Sequence, residues 1–166
     1  MKLLKRIYEK MTGTRAPYYY DYSILTIIKK PIRKFFAQVV APNCPFNNLR
    51  IVIYRLCGFK IGKHCFIGMK CYLDDTCYDL LTIGDNCTVS YGVYFACHGK
   101  KQSHIPITVQ SGVYIGMRAA ILSRKDDKNG LVIGKDAVIG CCALVNKSIP
   151  AGKTAVGVPC RIVDTR

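Results

Sequence analysis

The chain has 166 residues, a formal net charge of +15 and ten cysteines, and half of its residues are apolar. That length holds one domain with a real core, and that apolar content excludes a disordered chain. No apolar run approaches the ~20 residues of a membrane-spanning helix, and MKLLKRIYEK carries charges where a secretion signal has its apolar stretch.

These features predict a cytoplasmic protein, peripheral at most to the inner face of the membrane, with cysteines held as thiols. The surplus charge points to a phosphorylated small molecule, an anionic membrane surface or nucleic acid as partner.

Residues 1–58 form a basic, partly helical extension. Between Lys2 and Lys34 stand nine Lys or Arg against Glu9 and Asp21. Leu3, Leu4, Ile7 and Met11 have helical spacing, as do Ile24, Ile27, Ile28 and Ile32. Pro17 and Pro31 break the segment into short pieces. This segment could dock on anionic lipid, pack against a neighbouring subunit, or be solvated. The Tyr18–Tyr20 run beside basic residues is the one feature that favours nucleic acid, and nucleic acid is not the expected partner. Asn47 to Cys57 predicts a further helix, capped by Asn47 or Asn48 and stopped by Gly58. Its apolar face would be Leu49, Ile53, Leu56 and Cys57, and it would plug the open end of a repeat at 59–150.

In that repeat an apolar residue recurs every six positions in four triplets: Ile61, Ile67, Leu73; Ile83, Val89, Phe95; Val109, Ile115, Ile121; Ile133, Ile139, Val145. Gly comes directly after at 62, 68, 84, 116, 134 and 140. Four residues after the aliphatic, the side chain is small or modest at Cys65, Cys71, Cys77, Cys87, Val93, Gly99, Val113, Ala119, Ala137 and Ala143; Lys125 and Ile149 depart. A 3.6-residue helix cannot make a six-residue column. A short strand and a tight turn, repeated, trace one side of a triangular prism, and three such steps close a coil. The prediction is an all-β fold, a left-handed parallel β-helix of about four coils. The aliphatics stack inward, Gly permits the turn, and loops fall at 79–82, 101–108 and 127–132. The repeat cysteines then fill small inward sites. No paired C-x-x-C spacing supports a metal centre. Residues 151–166 leave the repeat as a Gly- and Pro-punctuated tail.

Three stretches resemble the hexapeptide-repeat acetyltransferases, in the maltose/galactoside and capsular-polysaccharide O-acetyltransferase branch. They are TIGDNCTVSYGVYFACH, ITVQSGVYIGMRAAIL and VIGKDAVIGCCALVNKSIPAGKTAVGVPCRIV. The resemblance implies an acetyl-CoA-dependent O-acetyltransferase acting on a sugar hydroxyl in surface polysaccharide synthesis. It also implies a homotrimer with each site between two subunits. His98 would be the general base, a role suited to imidazole near neutral pH. Asp75 is favoured slightly over Asp74 as the group that orients it, with Asp74 and His104 on the acceptor side; solvated turn carboxylates are the plain alternative. The amide near Gly116–Met117 would face the thioester. Cys141, Cys142 and Gly157 would line the pantetheine arm, and Lys147, Lys153 and Arg161 would meet the phosphates of coenzyme A. Cys141 and Cys142 stand where the family has a small pair, which narrows that channel, and Met117 replaces a smaller residue.

Several rivals remain. Cys97 beside His98 permits a covalent route, whereas the family transfers directly. The acceptor could be free, lipid-linked, or an amine on an amino sugar or xenobiotic. A non-catalytic scaffold shares the repeat. So does a γ-type carbonic anhydrase, which needs three ligating histidines; only His64, His98 and His104 exist, and His64 lies in the first coil.

Overall fold

The structure is a computed structural model that describes residues 2–17, 23–99, 103–123 and 130–163. The Tyr18–Tyr20 run and Lys125 lie outside the described residues, as do the side chains of Leu3, Leu4 and Ile24. Two compact units are present, Met1–Phe35 and Phe36–Arg166. The first holds helices α1 (Lys2–Thr12) and α2 (Ile24–Phe35), and α2 runs through Pro31 where a break was predicted. The second opens with a π turn (Phe36–Val40), a short helix α3 (Ala41–Asn43) and helix α4 (Asn47–Leu56), then becomes a β-solenoid.

The solenoid is a three-sided prism. Side one stacks β1 (Lys60–Ile61), β3 (Leu81–Ile83), β6 (Ile107–Val109) and β9 (Leu131–Ile133). Side two stacks β2 (Phe66–Ile67), β4 (Thr88–Val89), β7 (Tyr114–Ile115), β10 (Val138–Ile139) and β12 (Thr154–Val156), all parallel. Side three stacks β5 (Tyr94–Ala96), β8 (Ala120–Leu122) and β11 (Leu144–Val145). A tail strand, β13 (Arg161–Val163), returns antiparallel along β12. The twelve aliphatic or Phe positions form three in-register columns, such as Ile67, Val89, Ile115 and Ile139. All twelve are buried.

Three details depart from the predicted repeat. There are about three complete turns rather than four. The third side of the first turn pairs only through a Tyr72–Tyr94 bridge, because the chain leaves the prism straight afterwards. The excursions also start earlier than the phase slips imply, at Asp74 and Cys97. Strands β3, β6 and β9 already begin at Leu81, Ile107 and Leu131, which are themselves fully buried two residues before the column position.

The glycine column, finally, does not supply the left-handed turn residue. That residue comes two positions later and is His64, Lys70, Asn86, Arg118, Asp136 or Cys142, all at positive φ. The glycines instead let adjacent turns touch: a Cβ on Gly116 would stand 2.6 Å from the Cys141 nitrogen.

The cysteines do more than fill space. The thiols of Cys65, Cys71 and Cys87 donate to the carbonyls of Gly84, Ser90 and Gln110 at 3.0–3.1 Å, each in the adjacent turn. This weak bond satisfies a corner carbonyl that Ala would leave bare.

Helix α4 covers the open end with only part of the predicted face, since Ile53 and Cys57 pack on the core. Leu49 and Leu56 are exposed, while Arg50, Ile51, Tyr54 and Cys57 are buried. The first turn has strand edges with unpaired carbonyls, so its cover must carry donors. Arg50 Nε donates to the Ile67 carbonyl (2.6 Å), Tyr54 Oη to Cys71 (3.2 Å), Arg55 Nε to Ile61 (3.1 Å) and Gln38 Nε2 to Leu73 (2.8 Å). Asn47 does not cap the helix, whose N-cap is Phe46. Its amide donates to Cys65 and accepts from the Ile67 N–H, both at 3.0 Å.

Candidate active site

Two successive excursions from side three place one carboxylate under one imidazole. Leu73 is the last inward residue of its side, and the chain turns out at Asp74. In the next turn Phe95 and Ala96 end β5, and the chain turns out at Cys97–His98. Stacking brings Asp74 beneath that second exit. One carboxylate oxygen, Oδ2, accepts from the Cys97 N–H (2.7 Å), the His98 N–H (3.0 Å) and His98 Nδ1 (2.6 Å). The other, Oδ1, accepts from the Thr76 N–H (3.0 Å) and hydroxyl (2.7 Å). Asp74 is fully buried, whereas the His98 side chain is 41% exposed. Burial by itself would raise the Asp74 pKa. The bonds from Thr76, His98 and Cys97 outweigh it and hold the carboxyl below its ordinary value. With Asp74 ionised, Nδ1 is the donor, and the lone pair of His98 sits on Nε2.

Asp75, the residue the sequence favoured beside His98, is instead hydrogen bonded by the Tyr72 hydroxyl at 3.0 Å. Burial, and then the Asp75 bond, raises the Tyr72 pKa, so Tyr72 stays a donor. Its ring stacks on the exposed ring of Tyr94 at 4.4 Å. Thr76 was missed in the sequence; its hydroxyl also lies 3.3 Å from His98 Nδ1. The signal was there as Asp-x-Thr, a pattern in which a carboxylate bonds the amide two residues on. His104 is exposed and bridges back to His98 across the second excursion.

Cys97 is fully buried. Burial, then the Asp74 charge, pushes its thiol up to about 12. It is a poor nucleophile at neutral pH. Iodoacetamide should leave Cys97 unmodified in the native protein, and Cys97→Ala should keep its turnover. Rapid alkylation mapped to Cys97 would contradict this.

Asp74 also ties stability to pH. Its folded pKa is depressed, so its contribution is complete above the unfolded carboxylate value of about 3.9 and is lost as pH falls through the lower folded value. Melting temperatures measured from pH 7 downward should drop in that acid range, and Asp74→Asn should flatten that part of the curve.

The predicted cofactor residues divide into two groups. Gly116 and Met117 come after β7, and Cys141 and Cys142 after β10, so all four share one corner in successive turns. The Gly116 N–H is already committed to the Ile139 carbonyl (2.7 Å), while the Met117 N–H has no acceptor among the described residues. The Cys142 N–H donates to the Met117 carbonyl (2.8 Å). Met117, Cys141 and Cys142 are exposed. Lys147, Lys153, Gly157 and Arg161 are exposed in the last turn and the tail. Met117 and Cys141–Cys142 come just before the side-three strands β8 and β11, whereas His98 comes just after the side-three strand β5. The corner thus lies where the chain enters side three and His98 where it leaves. Among the described residues, no three His, Cys, Asp or Glu side chains are grouped to hold a metal ion. A cavity of about 220 Å³ lies beside Asn48, Arg55 and His64, away from the His98 cluster.

No family model matches the chain. The galactoside O-acetyltransferase of Escherichia coli is 32% identical over 122 residues, which cover 63% of this chain and 56% of that protein. A serine acetyltransferase of Staphylococcus aureus is 34% identical over 108 residues, 64% of this chain and 46% of that protein. Among solved structures, a hexapeptide-repeat-containing acetyltransferase of Vibrio cholerae superposes with a TM-score of 0.68 at 19% identity, covering 87% and 94% of the two chains. The homologues of this chain are acetyltransferases, and its fold is that of the hexapeptide-repeat, left-handed β-helix acetyltransferases. A maltose O-acetyltransferase of Clostridium difficile matches with a TM-score of 0.62 at 23% identity, over 94% and 95% of the chains. The Vibrio protein has also been solved in complex with acetyl-coenzyme A. The chain spans about half the length of the curated relatives it matches.

Proposed function

We propose that this chain is an acetyl-CoA-dependent O-acetyltransferase acting on a sugar hydroxyl by direct attack. The observation that carries the reading is the 2.6 Å contact of buried Asp74 with His98 Nδ1, which leaves Nε2 as the basic nitrogen on the exposed side. His98 Nε2 takes the proton of the acceptor hydroxyl as its oxygen bonds to the acetyl carbonyl carbon. Asp74 stabilises the imidazolium and keeps the ring oriented. The Met117 N–H is a candidate donor to the developing oxyanion. When the thioester C–S bond breaks, the proton on His98 passes to the departing sulfur. The exposed corner of Met117, Cys141 and Cys142 suits an extended amide-bearing arm, and Lys147, Lys153 and Arg161 suit its phosphates.

The separation of that corner from His98 supports a homotrimer, in which His98 of one copy faces the Met117 corner of the next. Exposed Tyr94 supports a sugar acceptor, since an aromatic face packs against a sugar ring's C–H surface. A surface polysaccharide pathway, with a free or lipid-linked sugar as acceptor, is the setting we infer. The serine acetyltransferase likeness favours a second reading, an amino-acid hydroxyl as acceptor. A thiol-release assay with acetyl-CoA against galactosides, nucleotide sugars, amino sugars and serine separates these readings. Release with a sugar hydroxyl is the expected result. Release with serine alone would select the second reading. No release with any acceptor, together with no coenzyme A binding by calorimetry, would leave a non-catalytic scaffold.

A further inference from the structure

The first unit carries two short helices whose composition the acetyl-transfer reading does not use. At 100° per residue, α2 separates cleanly into halves. Leu25, Ile27, Ile28, Ile32 and Phe35 occupy one half, and Lys29, Lys30, Arg33 and Lys34 the other. The apolar half is not buried: Leu25 is 67% exposed, Ile28 and Ile32 52%, and Phe35 53%. In α1, Ile7 and Met11 share one half and are exposed too, while Lys5, Arg6 and Lys10 take the other. An apolar stripe of this kind normally faces a core. Here Leu25, Ile28, Ile32 and Phe35 are each more than half exposed, beside a dense basic strip.

We propose that α2, together with the exposed residues of α1, forms a docking surface for an anionic lipid bilayer, with α2 lying in the plane of the interface. Charge selects this occupant. Nine Lys or Arg stand against Glu9 and Asp21 between Lys2 and Lys34, so a second copy seated on the same face would bring like charge to like charge. Nucleic acid would match the net positive charge and leave the apolar half in water. An anionic bilayer satisfies both: the isoleucines and Phe35 enter the acyl boundary, and the Lys and Arg side chains reach up to the head groups. The helix lies on the surface and does not cross it. Among the described residues, no helix is long and apolar enough to span a membrane.

The test uses the full chain and vesicles of phosphatidylcholine mixed with phosphatidylglycerol, against vesicles of phosphatidylcholine alone. Cosedimentation with the anionic vesicles only is expected. Lys29→Gln combined with Arg33→Gln should weaken the partition about thirtyfold, the effect of removing two cations from an anionic surface. Ile28→Asp combined with Ile32→Asp should abolish binding although every cation remains. A separate reporter guards against variants that lose the helix. The chain has no tryptophan, so Ile32→Trp gives a single emitter that should shift to the blue on mixing with anionic vesicles. Equal or absent binding to both vesicle types would overturn the proposal. So would unchanged Trp emission. A fall in particle mass by light scattering for the Ile28→Asp/Ile32→Asp variant, with vesicle binding intact, would assign the face to a second copy.

Discussion

His98→Ala should lower kcat about a thousandfold, the usual worth of a positioned general base, while coenzyme A binding and the melting temperature stay close to those of the parent. The imidazole is substantially exposed, and the backbone N–H of residue 98 still reaches Asp74 Oδ2 at 3.0 Å, so little folding energy rides on the ring. Asp74→Asn is the sharper test. With its oxygen toward the Cys97 N–H, the His98 N–H and Nδ1, the amide turns its NH2 onto the Thr76 N–H; flipped, it turns its NH2 onto all three of the other donors. Either way the charge that stabilises the imidazolium is lost, and the flipped amide also favours the tautomer with its proton on Nε2, which cannot accept from a hydroxyl. A loss of about a hundredfold or more in kcat, with KM for acetyl-CoA little changed, is expected. Asp74→Ala should instead unfold the excursions, because it strands the backbone N–H groups of Thr76, Cys97 and His98, at roughly 1–3 kcal/mol for each that is kept from water. Full activity in His98→Ala would end the general-base reading. An active Asp74→Asn would reduce Asp74 to a structural tie.

The prism was legible because its period is local. Each six-residue step repeats the same geometry, so Ile61 to Val145 mark the inward columns without any knowledge of what lies above or below them. His98 stood out as a candidate because it comes just before the longest break in that period, in a stretch that resembles the family's. The choice between Asp74 and Asp75 was not, since it depends on how the chain pivots as it leaves the prism, and adjacent carboxylates look alike in sequence. The face of α4 was misread for a different reason. Apolar spacing predicts burial against an apolar core, but this helix covers strand ends whose carbonyls need donors. The buried residues are accordingly Arg50 and Tyr54, and Leu49 and Leu56 are left outside. The turn was misread in the same way: Gly marks where two turns touch, and the left-handed position is filled by residues such as Asn86 and Asp136.

Contact between turns and left-handed φ predict different losses of stability at two glycines. Gly68 has ordinary φ, and a Cβ there would stand 2.5 Å from the Tyr91 nitrogen and 2.7 Å from the Ser90 carbonyl carbon. Both atoms are backbone of the next turn, and the Gly68 N–H is bonded to the Val89 carbonyl at 2.6 Å, so neither turn can yield without breaking that ladder. Gly68→Ala should cost about 3 kcal/mol, at the upper end for overpacking. Gly152 is the converse case. Its φ is +67°, and nothing lies within 4 Å of an added Cβ. Gly152→Ala should cost only the left-handed penalty of about 1 kcal/mol. In thermal unfolding the first variant should melt about 10 °C below the parent and the second about 3 °C below. Equal shifts would mean that the glycine column serves backbone conformation after all. A large shift confined to Gly68→Ala would mean that the six-residue step is held by contact between turns, and that the exits carrying Asp74 and His98 stay in register for the same reason.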